Sequence, residues 1–263
     1  MININTPVYY INLDVSVARR KNVVQTLKKL GFTNVTRIAG IDTRNEVEKF
    51  RFLIERESYE ILENDNKAGR RQFFGGLTYG SVGCYLSHLK TYKKILDNMD
   101  SNALIFEDDM IIELSRKKFW DRVKKLCMPR DTDVYLLDGT YYDGRREVCK
   151  GTFEVGRFTG LYGYFVTKRA AEILIENLFP IKYQIDFQIS ILMKANLLRL
   201  YGYGGRDRLV GHNVFQTTMQ NLNCKNCHMI DIDLEAQKLV RGSYFDYNTF
   251  IFLIFIIAVI YVV

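Results

Sequence analysis

The chain has 263 residues, of which 48% are hydrophobic and 25% are charged, and only three are prolines. These values are typical of a globular protein, and they exclude a disordered chain, a collagen-like repeat and a Pro-rich linker. The 37 Lys and Arg residues exceed the 30 Asp and Glu residues by seven, but they form no dense basic run, so we expect no nucleic-acid partner.

The predicted elements alternate between strand and helix from the N-terminus. Residues 8–13 (VYYINL) form a short apolar run that predicts a buried strand. Residues 16–31 have apolar residues at helical spacing and end in Gly31, a helix stop signal, and residues 35–41 predict a second strand. A strand, a helix and a strand in this order indicate an α/β sheet.

Further helices and strands are predicted as far as residue 201. Helices are predicted over residues 46–66, 81–99, 115–127, 168–178 and 184–195, and strands over residues 103–106, 133–137, 162–167 and 197–201. The Gly- and Tyr-rich stretch from residue 139 and the polar residues 202–242 predict irregular structure. We therefore expect one α/β domain over residues 1–242, followed by a hydrophobic segment over residues 243–263.

Three adjacent carboxylates, Glu107, Asp108 and Asp109, follow the predicted strand at residues 103–106. They repel one another, and burying them without a cation is costly. In an extended segment Glu107 and Asp109 point to the same side, and such oxygen ligands suit Mg²⁺ or Mn²⁺ shared with a substrate phosphate. Taken alone, the triplet has the alternative interpretation of a solvated acidic turn.

Four stretches of the chain, in this order, resemble glycosyltransferase family 25, which includes bacterial lipopolysaccharide galactosyl- and glucosyltransferases and collagen galactosyltransferases. They are YYINLDVSVARRKNV, GSVGCYLSHLKTYKKIL, ALIFEDDM and TGLYGYFVTKRAAEILI, and they span about residues 7–190. The chain departs from the family pattern at Ser81, where the family commonly has Glu. It also has a longer stretch between Pro180 and Asp186 than the family's Pro-x-Asp.

The resemblance implies a GT-A-like fold, in which a mostly parallel central sheet flanked by helices binds a nucleotide sugar. It implies an inverting, metal-dependent hexosyl transfer from a nucleotide-diphosphate donor, which we predict to be a UDP-sugar. The acceptor would be a hydroxyl of a glycan, a lipid-linked sugar or a protein, as in lipopolysaccharide biosynthesis. Mn²⁺ or Mg²⁺ is the implied cofactor.

The resemblance also implies roles for single residues. Glu107 and Asp109 would bind the metal, and Asp186 would accept the acceptor's proton opposite the leaving group. His212 is a candidate third metal ligand because of its position late in the chain, and His88 has the alternative of a histidine packed under the sheet. The residues expected to contact the nucleotide sugar are Asn12, Asp14, Arg19, Arg20, Ser87, His88 and Asp108.

The hydrophobic segment at residues 243–263 has two interpretations. Residues 250–263 (FIFLIFIIAVIYVV) carry no charge, and as a helix they would span ~21 Å, less than a ~30 Å hydrocarbon core. Because apolar residues cover every face, we predict a membrane anchor, with the preceding domain facing the cytosol. The alternative is a buried terminal element of a soluble cytoplasmic protein.

The five cysteines are too few, and odd in number, for a disulfide scaffold of this size. The N-terminal residues lack the features of a signal peptide, so both observations favour a reducing, cytosolic compartment. Cys224, Cys227 and His228 match the C-x-x-C-H pattern of haem attachment. We interpret them as an incidental thiol pair, with a haem site or a partial zinc site that includes His212 as alternatives.

A second functional hypothesis is a membrane-tethered glycan-binding or scaffold protein that has the fold without turnover. The presence of Glu107, Asp109 and Asp186 favours the enzyme. The absence of the family's Glu at Ser81 favours the scaffold.

Overall fold

The computed structural model describes residues 2–69, 71, 75–143, 146–205 and 208–212. The strands are β1 (Val8–Asn12), β2 (Val35–Ala39), β3 (Asn102–Glu107), β4 (Met110–Ile111), β5 (Val134–Leu136), β6 (Thr140–Asp143), β7 (Glu147–Cys149), β8 (Thr152–Glu154), β9 (Arg157–Thr159), β10 (Gly163–Thr167), β11 (Leu200–Tyr203) and β12 (Gly211–His212). The helices are α1 (Val17–Leu30), α2 (Arg56–Ala68), α3 (Tyr79–Asp97), α4 (Arg116–Val123), α5 (Lys168–Asn177) and α6 (Ile185–Lys194), with a 3₁₀ helix at Val47–Leu53.

The central sheet has eight strands in the order β2-β1-β3-β10-β5-β11-β8-β7. Strands β2, β1 and β3 are parallel to one another, and so are β5 and β11. Strands β10 and β8 are antiparallel to their neighbours, so six of the eight strands run in one direction. The prediction of an α/β fold with a mostly parallel sheet is confirmed in this mixed form.

Helices cover both faces of this sheet. In β3, Ala103 and Ile105 face a cluster filled from α3, α5 and α6, whereas Leu104 and Phe106 face a second cluster filled from α1 and α4. All four side chains are fully buried. A strand buried on both faces is apolar throughout, which is why residues 103–106 were recognisable as a strand from sequence.

Local signals set the ends of the helices that carry the site. Gly31 ends α1 in a left-handed conformation, with φ 85°, as expected for a glycine that stops a helix. Thr78 and Ser81 begin α3 with a reciprocal capping box, in which each side chain accepts the other residue's backbone N–H. Gly83 then allows α3 to approach the chain after β2, because a Cβ at this position would lie 2.3 Å from the Ile41 carbonyl oxygen.

The predicted helix at residues 46–66 is wrong as a single element. The chain forms a 3₁₀ helix and α2, and between them Ile54 is extended and makes a parallel bridge to Ile181. Ile54 is buried in this pairing, so a long-range contact breaks a segment whose local composition favours helix.

The stretch from residue 139 to the predicted strand at residue 162, expected to be irregular, contributes four short strands, β6 to β9. Strands of three or four residues are too short to show a hydrophobic period. Cys127 and Cys149, which flank part of this region, form a disulfide with a Cα–Cα distance of 6.1 Å that the cysteine count did not predict.

Within the described ranges, no helix is both long and apolar enough to cross a membrane. The predicted hydrophobic segment at residues 243–263 lies outside those ranges. The thiol pair Cys224 and Cys227, with His228, also lies outside them.

Candidate functional site

The candidate site lies at the carboxyl ends of β1 and β3, which are adjacent and parallel. Ile11 pairs with Glu107, so Asn12 at the end of β1 lies beside the start of the acidic triplet. Ligands of open α/β sheets bind at this edge, because strand ends and helix N-termini meet there. The topology thus brings together two motifs that are almost one hundred residues apart in sequence.

Asp108 is held in place by Asn12 and Arg19. Asn12 Nδ2 donates to Asp108 Oδ2 at 2.7 Å, and Arg19 forms an ion pair with Asp108 Oδ1 at 3.1 Å. Asn12 is 1% exposed, and its Nδ2 also donates to the Ser16 carbonyl at 3.1 Å. Burial raises the pKa of Asp108, and the hydrogen bonds from Asn12 and Arg19 oppose this shift. Asp108 therefore ties the triplet to the start of α1.

Arg37 completes this group from β2. Its Nε donates to Asn12 Oδ1 at 3.2 Å, and the same guanidinium forms an ion pair with Asp14. That contact lowers the pKa of Asp14, with a smaller contribution from the charge of Arg20. The Asp14 side chain is 76% exposed, so a charged carboxylate faces solvent beside the triplet.

Glu107 contacts the side chains of α3. His88 Nε2 lies 3.2 Å from Glu107 Oε1, and Cys84 Sγ lies 4.0 Å from the same oxygen. On the other side of the ring, His88 Nδ1 lies 2.8 Å from the Tyr164 hydroxyl, which in turn lies 2.8 Å from the Tyr92 hydroxyl. His88 has no exposed surface, as in the alternative interpretation of a histidine packed under the sheet.

Ser87 was predicted, with His88, to contact the nucleotide sugar. Its hydroxyl instead makes hydrogen bonds to the protein's own backbone. The hydroxyl donates to the Gly83 carbonyl at 2.6 Å and accepts the Ile41 N–H at 2.8 Å. Its exposed fraction is 2%. Ser87 therefore joins α3 to the chain that follows β2.

Asp109 is the member of the triplet whose buried charge is least compensated. Its Oδ1 is buried, and among the described residues it has no hydrogen-bond partner. Burial and the negative charges of Glu107 and Asp108 raise the pKa of Asp109 to about 8. A carboxylate in this position is stabilised by a proton or by a cation.

His212 lies close to the triplet across a short pair of strands. It is opposite Met110, the residue after Asp109, in the antiparallel pair of β12 and β4. Its ring stacks on Tyr162, with ring centroids 4.0 Å apart. Burial raises the pKa of the Tyr162 hydroxyl, and the negative charges of Glu107 and Asp109 add to the shift. The pairing of β12 with β4 thus places His212 beside the residue that follows the triplet.

Asp186 lies at the start of α6. Its Oδ1 accepts the Phe187 N–H at 2.8 Å and its Oδ2 accepts the Gly160 N–H at 3.3 Å. Burial raises its pKa to about 6, and the charge of Glu107 adds to the shift. Asp186 also raises the pKa of Cys84, so its carboxylate belongs to the same electrostatic site as the triplet.

Three residues of this site were not singled out from sequence. Arg37 lies in an otherwise ordinary strand, and no motif marks it. Cys84 and Tyr164 lie within the stretches GSVGCYLSH and TGLYGYF, where Cys84 is one helical turn before His88. The one-turn spacing of Cys84 and His88 was the sequence signal that their side chains share one face of the helix.

Comparison with known proteins gives one match to a family and several to solved structures. Residues 5–189 match the model of glycosyltransferase family 25 (LPS biosynthesis protein). Among solved structures, the chain is similar to a UDP-glucose pyrophosphorylase complexed with UDP-glucose, at 10% identity and a TM-score of 0.41 over 76% of this chain and 90% of that chain. It is also similar to HddC from Yersinia pseudotuberculosis complexed with GMP-PN, at 14% identity and a TM-score of 0.31 over 69% and 84%. At these TM-scores the structural similarities support no inference about activity.

Proposed function

Because the chain belongs to glycosyltransferase family 25, we propose that it transfers a hexose from a nucleotide-diphosphate donor to an acceptor hydroxyl. The proposed donor is a UDP-sugar, and the acceptor is a glycan, a lipid-linked sugar or a protein. The α/β sheet, with the acidic triplet at the carboxyl end of β3, supports a GT-A-like arrangement of the donor site.

The observation that carries this proposal is the Asp109 side chain, whose buried Oδ1 has no hydrogen-bond partner among the described residues. With Glu107 two residues away, it offers the oxygen ligands that Mn²⁺ or Mg²⁺ prefers. In the proposed site Glu107 and Asp109 hold the ion, and His212 is the candidate third ligand. A divalent cation held there would offset the negative charge that develops on the leaving diphosphate.

The neighbouring side chains orient the donor. Asp108 is already engaged by Asn12 and Arg19, so we assign these three residues to shaping the site and fixing its charge. Arg19 and Arg20, in the first turn of α1, supply positive charge for the diphosphate. Asp14 presents an exposed, ionised carboxylate that suits the donation of hydrogen bonds by sugar or ribose hydroxyls.

Asp186 acts as the general base in this proposal. The acceptor oxygen attacks the anomeric carbon, the bond from that carbon to the diphosphate breaks, and the acceptor's proton passes to Asp186. A pKa of about 6 makes this carboxylate a stronger base than an ordinary Asp while it remains ionised at neutral pH. Its two backbone hydrogen bonds fix its orientation.

The scaffold hypothesis rested on Ser81, which replaces a Glu that is common in the family. In the capping box of α3, Ser81 accepts the Thr78 N–H, as a Glu or Gln at this position does. Replacement of Glu by Ser is therefore compatible with an intact helix start. It carries no argument for a loss of turnover.

The test is Asp109→Asn, with Asp97→Asn as the matched control, because Asp97 is an exposed partner of Lys93 on α3. An amide oxygen is a poorer ligand for a hard cation than a carboxylate. We expect Asp109→Asn to abolish Mn²⁺-dependent UDP binding, measured by calorimetry, and hexosyl transfer, measured with UDP-sugar donors. Above pH 8, where Asp109 is ionised, the apo variant should keep or raise its Tm, because a buried negative charge is removed.

Asp97→Asn should behave as the wild-type protein in all three measurements. If the wild-type protein binds UDP equally well with and without divalent metal, or if Asp109→Asn keeps metal-dependent binding, the proposed metal site is wrong.

A further inference from the structure

Cys84 and His88 converge on Glu107, the first residue of the triplet. Cys84 and His88 are one turn apart on α3, so their side chains lie on the same face of the helix. Their sulfur and Nε2 atoms both approach Glu107 Oε1, at 4.0 and 3.2 Å, and the three atoms all lie within 4.8 Å of one another. Two rigid elements, α3 and β3, hold this arrangement.

These distances are close to those of a tetrahedral zinc centre. With Zn–S near 2.3 Å and Zn–N and Zn–O near 2.0–2.1 Å, the ligand atoms of such a centre are roughly 3.3–3.6 Å apart. The His88–Glu107 separation is already 3.2 Å, and the other two, at up to 4.8 Å, must shorten on binding. A thiol, an imidazole and a carboxylate together favour Zn²⁺ over the oxygen-preferring Mg²⁺ and Mn²⁺.

The second ring nitrogen of His88 has the partner that a metal ligand requires. Nδ1 lies 2.8 Å from the Tyr164 hydroxyl, and that hydroxyl has a further partner, at 2.8 Å, in Tyr92. A hydroxyl can either donate to Nδ1 or accept from it, so the Tyr164–Tyr92 pair fits both neutral tautomers of His88. Without metal, Nε2–H donates to Glu107, whereas with metal Nδ1–H donates to Tyr164 and leaves the Nε2 lone pair for the ion.

We propose that Cys84, His88 and Glu107 form a Zn²⁺ site distinct from the oxygen-ligand site at Glu107 and Asp109. Three protein ligands leave the fourth tetrahedral position open. Because Glu107 is common to both sites, Zn²⁺ at the first opposes binding of the donor-site cation at the second. This last consequence rests on the proposed function, but the zinc site itself does not.

The experiment uses Co²⁺ as an optical probe, because Co²⁺ bound to a thiolate has a charge-transfer absorption band that oxygen and nitrogen ligands do not give. The full chain with both Cys224→Ser and Cys227→Ser is the reference protein, since it removes the other thiols that could bind the probe. With Cys127 and Cys149 paired, Cys84 is then the remaining thiol. Thiol titration before the experiment should find one free thiol per chain.

We expect this reference protein to develop the band on addition of Co²⁺ and to lose it on addition of Zn²⁺. Cys84→Ser should abolish the band. Tyr164→Phe, which removes the hydroxyl beside His88, should weaken Co²⁺ binding about 10–100-fold and keep the band. Asp109→Asn should keep the band, because Asp109 does not supply the thiolate that gives it.

No band in the reference protein, or a band that persists in Cys84→Ser, overturns the zinc site. The reference measurement decides the question even if Cys84→Ser fails to fold. None of these readouts involves transfer, so an inactive protein that shows the band refutes the proposed function and supports the zinc site. An active protein that lacks the band supports the proposed function and overturns the zinc site.

Discussion

Asp109 and Asp186 are two carboxylates of one site whose surroundings give them different chemistry. Asp109 lies beside two other carboxylates, and its buried Oδ1 has no hydrogen-bond partner among the described residues, so its pKa rises to about 8. Asp186 accepts two backbone N–H groups, which limit the effect of burial and leave its pKa at about 6. Two carboxyl groups of one site whose surroundings give them different pKa values can take different roles in catalysis. In the proposed function Asp109 binds the cation and Asp186 takes the acceptor's proton.

Asp186→Asn tests the second role. The amide keeps the shape of the side chain and removes its basicity, so transfer should fall by ~10²–10⁴-fold. Binding of UDP should stay within twofold of the wild-type value when measured by calorimetry with Mn²⁺. Undiminished transfer would move the base to another carboxylate, with Asp138 and Asp143 as the next candidates.

The pH dependence of the same residue gives an independent check. Because the base must be ionised, kcat/KM of the wild-type protein should rise with pH up to about 6 and then level off. The contribution of Asp186 to the stability of the fold has the opposite pH dependence. The folded-state pKa lies above the ordinary value of 3.8, so this group's stabilising contribution is present below that value and is lost as pH rises through about 6. In Asp186→Asn, the transfer activity that remains should no longer show the rise of kcat/KM with pH up to about 6.

At the scale of elements, the approach of α3 to the chain after β2 depends on Gly83. A Cβ there would lie 2.3 Å from the Ile41 carbonyl oxygen and 2.8 Å from Thr43 Oγ1. The same contact region includes the Ser87 hydroxyl, which accepts the Ile41 N–H. Gly83 therefore fixes how close the helix that carries Cys84 and His88 lies to the sheet.

Gly83→Ala should destabilise the fold by about 1–3 kcal/mol, because the backbone of the helix or of the Ile41 segment must move. The measurement is urea unfolding followed by circular dichroism. Lys94→Ala, at an exposed position of the same helix, is the control and should change the free energy of unfolding by less than about 0.5 kcal/mol. A Gly83→Ala protein as stable as the wild type would show that Ala helix propensity outweighs the overpacking.

The elements that sequence predicted well are those with a complete local signal. The apolar runs of β1 and β3 and the stop at Gly31 needed only the residues themselves. The acidic triplet followed β3 as expected, so its place at the sheet edge was predictable. By contrast, the extended Ile54 within a helix-favouring segment depends on Ile181, more than one hundred residues later.

The same distinction holds inside the site. Asn12 and Asp108 were predicted from motifs, but their mutual hydrogen bond arises from the pairing of β1 with β3. Arg37 comes from β2, and its role depends on that strand lying beside β1. Tyr164 reaches His88 from β10, which is antiparallel to β3. Sequence patterns report periodicity and composition, whereas these contacts arise from strand order.

At the scale of the whole molecule, the described residues close their core without the C-terminal segment. Helices cover both faces of the central sheet, and the core includes Leu209 and Val210, which are 1% and 0% exposed. Residues 250–263 lie outside the described residues, so membrane attachment stays a prediction from their all-round apolar composition.

Deletion of residues 250–263 is the corresponding prediction. The full chain should sediment with membranes, whereas the shortened chain should remain in the supernatant with an unchanged Tm and unchanged transfer. Replacing residues 250–263 with a Gly/Ser segment of equal length is the control, and it should behave as the deletion does because apolarity, rather than length, drives insertion. Lys238 and Arg241 precede the segment, so a protease added to the cytosolic side should release the domain. If the shortened chain unfolds, the segment belongs to the core, because an anchor outside the domain contributes no packing to it.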